Sequence, residues 1–340
     1  MNSPRPIEII GGGLAGLSLG LGLRRAGVPV TLHEAGSYPR HRVCGEFITG
    51  LSAATIARLQ LGPFLAAALP HREVAWFIGG QATRIQQLPS PALGLSRHAL
   101  DALLAAAFVQ AGGDLRQHSR VSDDSPQPGR VFANGRRHGR SPWLGLKIHA
   151  LALPLARDLE LHLGDRAYVG LTRVEGGRAN ICGLFHRRKL TGHGSALLLR
   201  YLEDAGMAVL AARLRAAIFD EESFCAVAAV SFDARVPASP RVQLGDACAM
   251  IPPFTGNGMA MAFQSAETAL TPLLGYAQGR SDWRTASSLI RTRLRRRFRL
   301  RLASARLLHP YLLQSSRQRW LAAAARARLL PFRSLYAILH

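Results

Sequence analysis

The N-terminal thirty-four residues combine short apolar runs with glycines in a pattern that predicts a strand, a helix and a second strand. Residues 7–10 form an apolar run typical of a short buried strand. Glycines follow at once, and residues 14–26 then place apolar side chains at helical spacing, with Gly27 as a suitable helix end. Residues 28–33 predict the second strand, so the chain is expected to begin with a βαβ unit.

Farther along, the pattern predicts helices at 52–69 and 96–111 and strands within 73–87. Ser96 is a suitable cap for the second of these helices, and Gly112-Gly113 a suitable end. Four segments separated by turn residues then predict consecutive strands: 145–151, 159–163, 167–174 and 178–185. Strands joined as hairpins predict an antiparallel sheet, unlike the N-terminal unit.

The remaining third of the chain is expected to be mostly helical. Residues 192–216 and 259–274 predict helices, and two strands are expected at 225–232 and 242–244. Residues 282–340 also predict helices, and Arg284 to His340 contains fourteen arginines and no aspartate or glutamate. Ile290, Leu294, Phe298 and Leu302 recur every four residues among these arginines, as expected for a basic amphipathic helix.

Composition describes an ordinary globular protein with an unusual charge. The chain has 340 residues, 48% of them hydrophobic and 19% charged, but its net charge is +22 and Lys147 and Lys189 are its only lysines. The charge indicates either attraction to anions or a genome that favours arginine codons. The four cysteines include no C-x-x-C pair, which argues against a zinc ribbon or a thioredoxin-like site and favours a reducing, cytoplasmic location. No apolar stretch has the roughly 18–20 residues of a membrane span.

Gly11, Gly13 and Gly16 match the pattern G-x-G-x-x-G between the first strand and the first helix. In this pattern the glycines permit a tight turn, close approach of the backbone to a pyrophosphate, and close packing of helix on strand. The free N–H groups of the helix, which starts near Leu14 and Ala15, would face the phosphates. Glu34 ends the second strand, where its carboxylate can bind a ribose hydroxyl. We call these residues the first cradle.

A second glycine-containing motif lies about 230 residues farther on, and we call it the second cradle. Gly245 and Asp246 follow a predicted strand, and the loop Pro252, Pro253, Gly256, Asn257, Gly258 opens a helix at Met259. Asp246 is placed to accept a hydrogen bond from a polyol chain. The loop is stiff at its prolines and bare at its glycines, so a flat ring can pack on it. The positive end of the helix would favour negative charge on that ring.

Together the two cradles resemble the flavoprotein superfamily that includes aromatic-ring monooxygenases, geranylgeranyl reductases and flavin halogenases. The resemblance covers most of residues 5–275 and implies an FAD cofactor, with Asp246 on the ribityl chain and the loop from Pro252 to Gly258 on the isoalloxazine ring. The segment PRHRVCGE, residues 39–46, resembles most the geranylgeranyl reductase branch. That resemblance places Arg42 and Cys44 near the flavin, with Cys44 either protonating a substrate carbon or lining the pocket. Arg97 resembles a family arginine near the flavin or its phosphates.

The chain also departs from its relatives. Asn134-Gly135, flanked by Arg136, Arg137 and Arg140, stands where many members have Asp-Gly, which leaves the use of NAD(P)H as electron donor open. Residues 168–173 replace the reductase motif Tyr-x-Trp-x-Phe-Pro, so the substrate is expected to differ, and the tryptophan motif of flavin halogenases is absent.

We therefore expect an α/β fold with a Rossmann-like FAD-binding domain, an interleaved α+β part whose antiparallel sheet forms a substrate domain, and a helical C-terminus. The expected segments are 1–70, 95–142 and 236–280 for FAD, 71–94 and 143–235 for substrate, and 281–340 for the basic tail.

The sequence favours a reductase or dehydrogenase that acts on a hydrophobic, isoprenoid- or polyketide-like small molecule. The alternative is an NAD(P)H-dependent hydroxylase using a flavin hydroperoxide, and a third, less favoured, is a non-catalytic flavin-binding or membrane-docking protein. Residues 284–340 would contact an anionic membrane peripherally or pack on the fold. Nucleic-acid binding is not expected, because no nucleic-acid module accompanies the charge.

Overall fold

A computed structural model describes residues 3–123, 125–136, 140–232, 240–327 and 329–339. In chain order its strands are β1 (Ile7–Ile10), β2 (Val30–His33), β3 (Phe47–Ile48), β4 (Leu69–Ile78), β5 (Gln81–Gly94), β6 (Asp114–Arg116), β7 (Arg130–Phe132), β8 (Trp143–Leu151), β9 (Leu159–Gly164), β10 (Ala167–Val174), β11 (Arg178–His186), β12 (Ile218–Val227) and β13 (Val242–Gln243). The helices are α1 (Leu14–Arg25), α2 (Ala53–Leu59), α3 (Gly62–Leu65), α4 (Arg97–Gln110), α5 (Gly194–Asp204), α6 (Ala208–Arg215), α7 (Gly258–Ala277), α8 (Trp283–Leu313), α9 (Ser315–Arg326) and α10 (Phe332–Leu339).

The strands form two sheets of different character. The first sheet has the order β13-β7-β1-β2-β6, and all its pairs are parallel. Its central strand β1 has apolar side chains on both faces, as expected for a parallel strand covered on both sides. Helices α1, α4 and α7 pack together beside it, so the expected βαβ unit is present at the N-terminus.

The second sheet has the order β12-β8-β11-β10-β9-β4-β5-β3. Its pairs are antiparallel except for β4 and β9, which run parallel because a long connection separates them in the sequence. The segments predicted for the substrate domain supply seven of its strands, and β3 joins at the edge from the preceding loop. The predicted α/β class with a separate, mainly antiparallel sheet is confirmed. The exact domain boundaries stay a prediction, and the one at 235/236 lies outside the described residues, as does Arg137.

Each face of the second sheet meets a different partner. Leu146, Ile148 and Ala150 on one face of β8 pack with α5 and α6 in a core of their own. The alternate residues Lys147 and His149 face the other way, toward His41 and Glu46 in the loop between β2 and β3. The long α8 joins the main core through buried apolar residues that recur at each turn: Ile290, Leu294, Phe298 and Leu302. The two sheets and α8 therefore enclose the space between them.

Several predicted elements end differently for local reasons. The predicted helix 52–69 stops where Gln60 adopts a φ of +52°, and β4 already begins at Leu69. The predicted helix 192–216 is divided at Gly206, whose φ is +74°. The strand predicted at 225–232 ends at Val227, because Ala229 has a φ of +56° that no extended strand permits. Among the described residues, no helix has the length and apolar character needed to cross a membrane.

Candidate functional site

The three glycines of the first cradle have different surroundings. Gly11 has a φ of +110°, and a Cβ placed there would lie 2.3 Å from the carbonyl oxygen of Ala133. A Cβ at Gly16 would lie 2.0 Å from the carbonyl oxygen of Gly11, so this glycine permits the close packing of α1 on β1. At Gly13, in contrast, the nearest atom to an added Cβ is Nη2 of Arg97 at 3.9 Å. Gly13 is therefore the glycine that leaves room for a ligand beside the start of α1.

Glu34 was predicted to end the second strand and directly follows β2, where it lies almost fully buried at the edge of the same space. Its carboxylate accepts hydrogen bonds from the backbone N–H groups of Gly12 at 2.9 Å and Gly36 at 3.0 Å. Arg40 and Arg42 approach it to 2.9 and 3.4 Å. Desolvation by burial would raise the pKa of Glu34, but these hydrogen bonds and the two arginines outweigh it and lower the pKa. A ribose hydroxyl would bind an ionised acceptor here, most easily by displacing the more distant Arg42.

The two arginines predicted to lie near a flavin meet on a buried acid. Arg97 begins α4 and donates to Asp101, one turn later, from Nε and Nη2 at 2.7 Å each. Arg42 donates to the same carboxylate from Nε at 2.9 Å. Asp101 is fully buried, so the pair fixes both guanidinium groups on one side of the space. Sequence reasoning missed Asp101, although its spacing of four residues from Arg97 on a helix was a usable signal.

Asp246 of the second cradle faces the first cradle across this space. Gly245, with a φ of +57°, turns the chain after β13 and donates its N–H to Ser265 at 2.9 Å. The carboxyl group of Asp246 is exposed to the space but surrounded by protein farther out. Desolvation therefore raises its pKa, while Arg97 and Arg136 oppose the rise. The interaction with Arg97 brings the two predicted cradles to one place.

The loop of the second cradle lines the space on one side and supports α10 on the other. Pro253, Gly256, Gly258 and Met259 line it. Asn257 instead turns its side chain away, and its Nδ2 donates to the carbonyl oxygen of Leu339 at 2.6 Å. Any contact between Asn257 and a ring would therefore have to come from its backbone. Pro252 and Gly16 are likewise not among the lining residues.

Cys44 also lines the space, at the end of the loop that follows β2. The Glu46 N–H donates to its Sγ at 3.4 Å, and Asn180 of β11 donates to its carbonyl oxygen at 3.0 Å. Burial raises the pKa of the Cys44 thiol, with Arg97 opposing the rise. The group is therefore a thiol rather than a thiolate near neutral pH, which suits a proton donor better than a nucleophile.

Beneath Cys44 lies a charged cluster that sequence reasoning missed. Glu46 is fully buried with a φ of +52°, and its carboxylate accepts from His149 at 2.6 Å and from the Arg97 N–H at 3.0 Å. Nζ of Lys147 lies 3.6 Å from Glu46 and 3.1 Å from Nδ1 of His41. Desolvation would raise the pKa of Glu46, but His149, Lys147 and the Arg97 N–H lower it. These contacts tie the loop of Cys44 to α4 and β8.

The far end of the space is apolar and aromatic. Tyr168 of β10 lies edge-on to Phe254 and to His309, and its hydroxyl is 3.4 Å from Nε2 of His309. Desolvation lowers the pKa of His309 to about 4, so this imidazole is neutral at physiological pH. Other lining residues come from β4, β9, α8 and α9: Trp76, Ile78, Leu161, Leu308, Leu312 and Leu321. This end is suited to an uncharged, hydrophobic molecule.

All these regions belong to one continuous cavity of about 1620 Å³. Typical pockets for a single small ligand have about 300–1,000 Å³, so this cavity has room for a dinucleotide and a second molecule. Most of the predicted cofactor residues line it: Gly11, Gly13, Leu14, Ala15, Glu34, Arg42, Arg97, Gly245, Asp246, Pro253, Gly256, Gly258 and Met259.

Comparison with solved structures identifies the fold. HpxO of Klebsiella pneumoniae, solved with FAD and uric acid, is similar with a TM-score of 0.77 and 16% identity over 98% of this chain and 95% of HpxO. PqsL of Pseudomonas aeruginosa, described as a probable FAD-dependent monooxygenase, gives 0.72 and 16% over 93% of this chain and 98% of PqsL. The halogenase PltM is similar with a TM-score of 0.71 and 15% identity over 90% of this chain and 75% of PltM. No protein-family model matches the sequence. The chain therefore shares the fold of these proteins over nearly its whole length.

Proposed function

We propose that this protein is an FAD-dependent monooxygenase that oxidises a hydrophobic, ring-bearing small molecule. The observation that carries the proposal is the single cavity in which both cradles meet at one end and an apolar chamber lies at the other. Structures with this fold include one solved with FAD and one described as a probable FAD-dependent monooxygenase, which supports oxygenation over the reductase chemistry expected from the loop of Cys44.

The residues of the cavity fit FAD in charge and in shape. The N–H groups of α1, the bare Gly13 and the guanidinium of Arg97 form an anion site for the pyrophosphate. The ionised Glu34 would accept from the adenosine ribose, and Asp246 from the ribityl chain. Pro253, Gly256 and Gly258 line the cavity where the ring would pack, and nothing lies within 4 Å of a Cβ added at Gly258. When bound, FAD would supply two-electron redox chemistry and the activation of oxygen.

The protein's own contribution lies in positioning and in excluding water. The apolar wall of Trp76, Leu161, Leu312 and Leu321 keeps water from the reacting end. Tyr168 lines the cavity beside Phe254 and can orient a substrate by a hydrogen bond without introducing a charge. The neutral His309 does not line the cavity but approaches the Tyr168 hydroxyl to 3.4 Å, so it can hold that hydroxyl in place. We infer that the substrate is uncharged at this end and aromatic or similarly flat, because aromatic side chains line the chamber.

A reductase remains the second candidate because Cys44 lines the cavity as a protonated thiol. In that case a hydride would reach the substrate carbon and Cys44 would supply the proton. The electron donor in either reaction is proposed to be NAD(P)H.

The first experiment identifies the cofactor and then the oxygen requirement. Purified protein is expected to show a flavin absorption spectrum, and FAD is expected on denaturation. NADH and NADPH oxidation would then be followed with an oxygen electrode, using uncharged aromatic compounds as substrates. A monooxygenase consumes one O₂ for each hydroxylated product, whereas a reductase forms product at the same rate without oxygen. A protein that neither contains nor takes up FAD would refute both proposals.

A further inference from the structure

The end of the chain forms a thin wall between the apolar chamber and solvent. Along this wall, exposed apolar residues directly precede leucines that line the cavity: Leu307 before Leu308, Trp320 before Leu321, and Leu329 before Leu330. The three outer residues are 73%, 60% and 75% exposed. Adjacent residues of a helix point about 100° apart, so one side of these segments contacts the chamber while another side faces solvent.

The expected apolar stripe of α8 cannot be the outer surface of this wall. Ile290, Leu294, Phe298 and Leu302 are buried in the main core, so packing on the fold uses this stripe completely. Any partner of α8 must therefore bind its opposite face.

That opposite face contains a second stripe that the sequence pattern did not reveal. Leu289, Arg293, Arg296, Leu300 and Leu307 are all exposed. At 100° per residue these five positions fall within a band about 60° wide along the helix. Two arginines lie in this band between the exposed Leu289 and Leu300, and Arg284 to His340 contains no acidic residue. We call this band, with Trp320 and Leu329, the outer stripe.

We propose that the outer stripe docks the protein on the surface of an anionic lipid bilayer. Arginines attract the lipid headgroups, and leucine and tryptophan side chains enter the boundary between headgroups and acyl chains. A nucleic acid would use the same arginines but would leave the exposed leucines in water. The proposal concerns docking alone and does not depend on the flavin reaction. If the proposed function is also correct, docking places the membrane against the chamber that takes the hydrophobic substrate.

The test is a binding assay with the full chain and vesicles of phosphatidylcholine alone or with about 30% phosphatidylglycerol. We expect at least tenfold tighter binding to the anionic vesicles, weakened by salt. The double variant Leu300→Ser/Leu307→Ser should lose at least tenfold in affinity, and Arg293→Gln/Arg296→Gln should lose a similar factor. The matched control is Val209→Ser/Ile218→Ser, since these residues are 61% and 67% exposed on α6 and β12. It should bind like the wild type. Thermal midpoints check that each variant folds.

Three results would overturn the proposal. The first is equal binding to neutral and anionic vesicles, and the second is unchanged binding of the folded leucine variant. The third is binding to a duplex or single-stranded oligonucleotide that exceeds vesicle binding and is unaffected by Leu300→Ser/Leu307→Ser, which would assign the arginines to nucleic acid. Because none of these assays measures flavin or turnover, failure here is distinguishable from failure of the proposed function.

Discussion

Replacing Gly13 by alanine separates the ligand role of the first cradle from its structural role. Gly13 has φ −85° and ψ −175°, which any residue adopts, and an added Cβ would meet Arg97 at an ordinary contact distance of 3.9 Å. The remaining cost is that of alanine at a helix N-cap, about 1 kcal/mol or less. The variant should therefore fold with a thermal midpoint only a few degrees below that of the wild type.

The same methyl group would lie between the backbone and Arg97, where we place the pyrophosphate. We expect FAD affinity to fall at least about a hundredfold, which corresponds to about 2.7 kcal/mol. Gly16→Ala should behave in the opposite way, because its Cβ would lie 2.0 Å from a backbone oxygen. That overlap is expected to cost about 1–3 kcal/mol or more in stability.

The assay is a titration of the apoprotein with FAD, in which binding is monitored by the quenching of flavin fluorescence. The thermal unfolding of each variant is measured in parallel. Gly62→Ala is the control, since nothing lies within 4 Å of an added Cβ and the residue is outside the cavity. The reasoning fails if Gly13→Ala binds FAD within threefold of the wild type. It also fails if Gly16→Ala unfolds no more easily than Gly13→Ala.

Four other predictions test the remainder of the site. Asp246→Ala should fold and lose FAD, and full flavin content after purification would remove Asp246 from the second cradle. Cys44→Ser should keep FAD and, if the protein is a reductase, lower its turnover about tenfold or more. Unchanged turnover would show that the thiol only lines the cavity. Desolvation lowers the pKa of His309 from 6.5 to about 4, so between these pH values the unfolded chain takes up a proton that the folded chain does not. As the pH falls from 6.5 to about 4, the free energy of unfolding of the wild type should fall by up to about 3 kcal/mol relative to that of His309→Phe, as measured by urea unfolding. Parallel pH profiles of the two proteins would argue against a buried neutral imidazole. Asn257→Ala removes the hydrogen bond to Leu339, which should lower the local stability of α10 by about 1–3 kcal/mol and speed proteolysis near this helix. Equal cleavage rates in the variant and the wild type would show that the hydrogen bond does not hold α10 in place.

Several predicted residues line the cavity because neighbouring residues in the sequence place them there. Gly11, Gly13 and Glu34 follow from one βαβ pattern, because the strand, turn and helix place them without reference to the remainder of the chain. Asp246 follows in the same way from a strand and a glycine turn. Local pattern alone is therefore sufficient to place these residues at the cavity, and their roles toward FAD stay a prediction.

Long-range partners could not be predicted in this way. Arg42 and Asp101 are 59 residues apart, and Glu46 and His149 are 103 residues apart, yet each pair is in direct contact. A single sequence does not reveal which distant residues contact each other. Lys147 and His149, at alternating positions of an apolar strand, were nevertheless a sign of buried polar contacts. The tail shows the same limit, since periodicity identified the stripe at Ile290 but not which face of α8 the core would cover.

The choice of reaction and substrate depends on the parts without local motifs. The chamber is lined by Tyr168 of β10, Phe254 of the second-cradle loop and Leu312 of α8, which come from three distant segments. The cradles can hold the same dinucleotide for a reductase or a monooxygenase, so they do not separate the two. Asn257 joins the cradle loop to Leu339 of α10, and α10 itself lines the chamber. Substitutions in the tail should therefore change substrate choice while cofactor affinity stays the same, except around Leu339, where the hydrogen bond from Asn257 ties α10 to the second cradle.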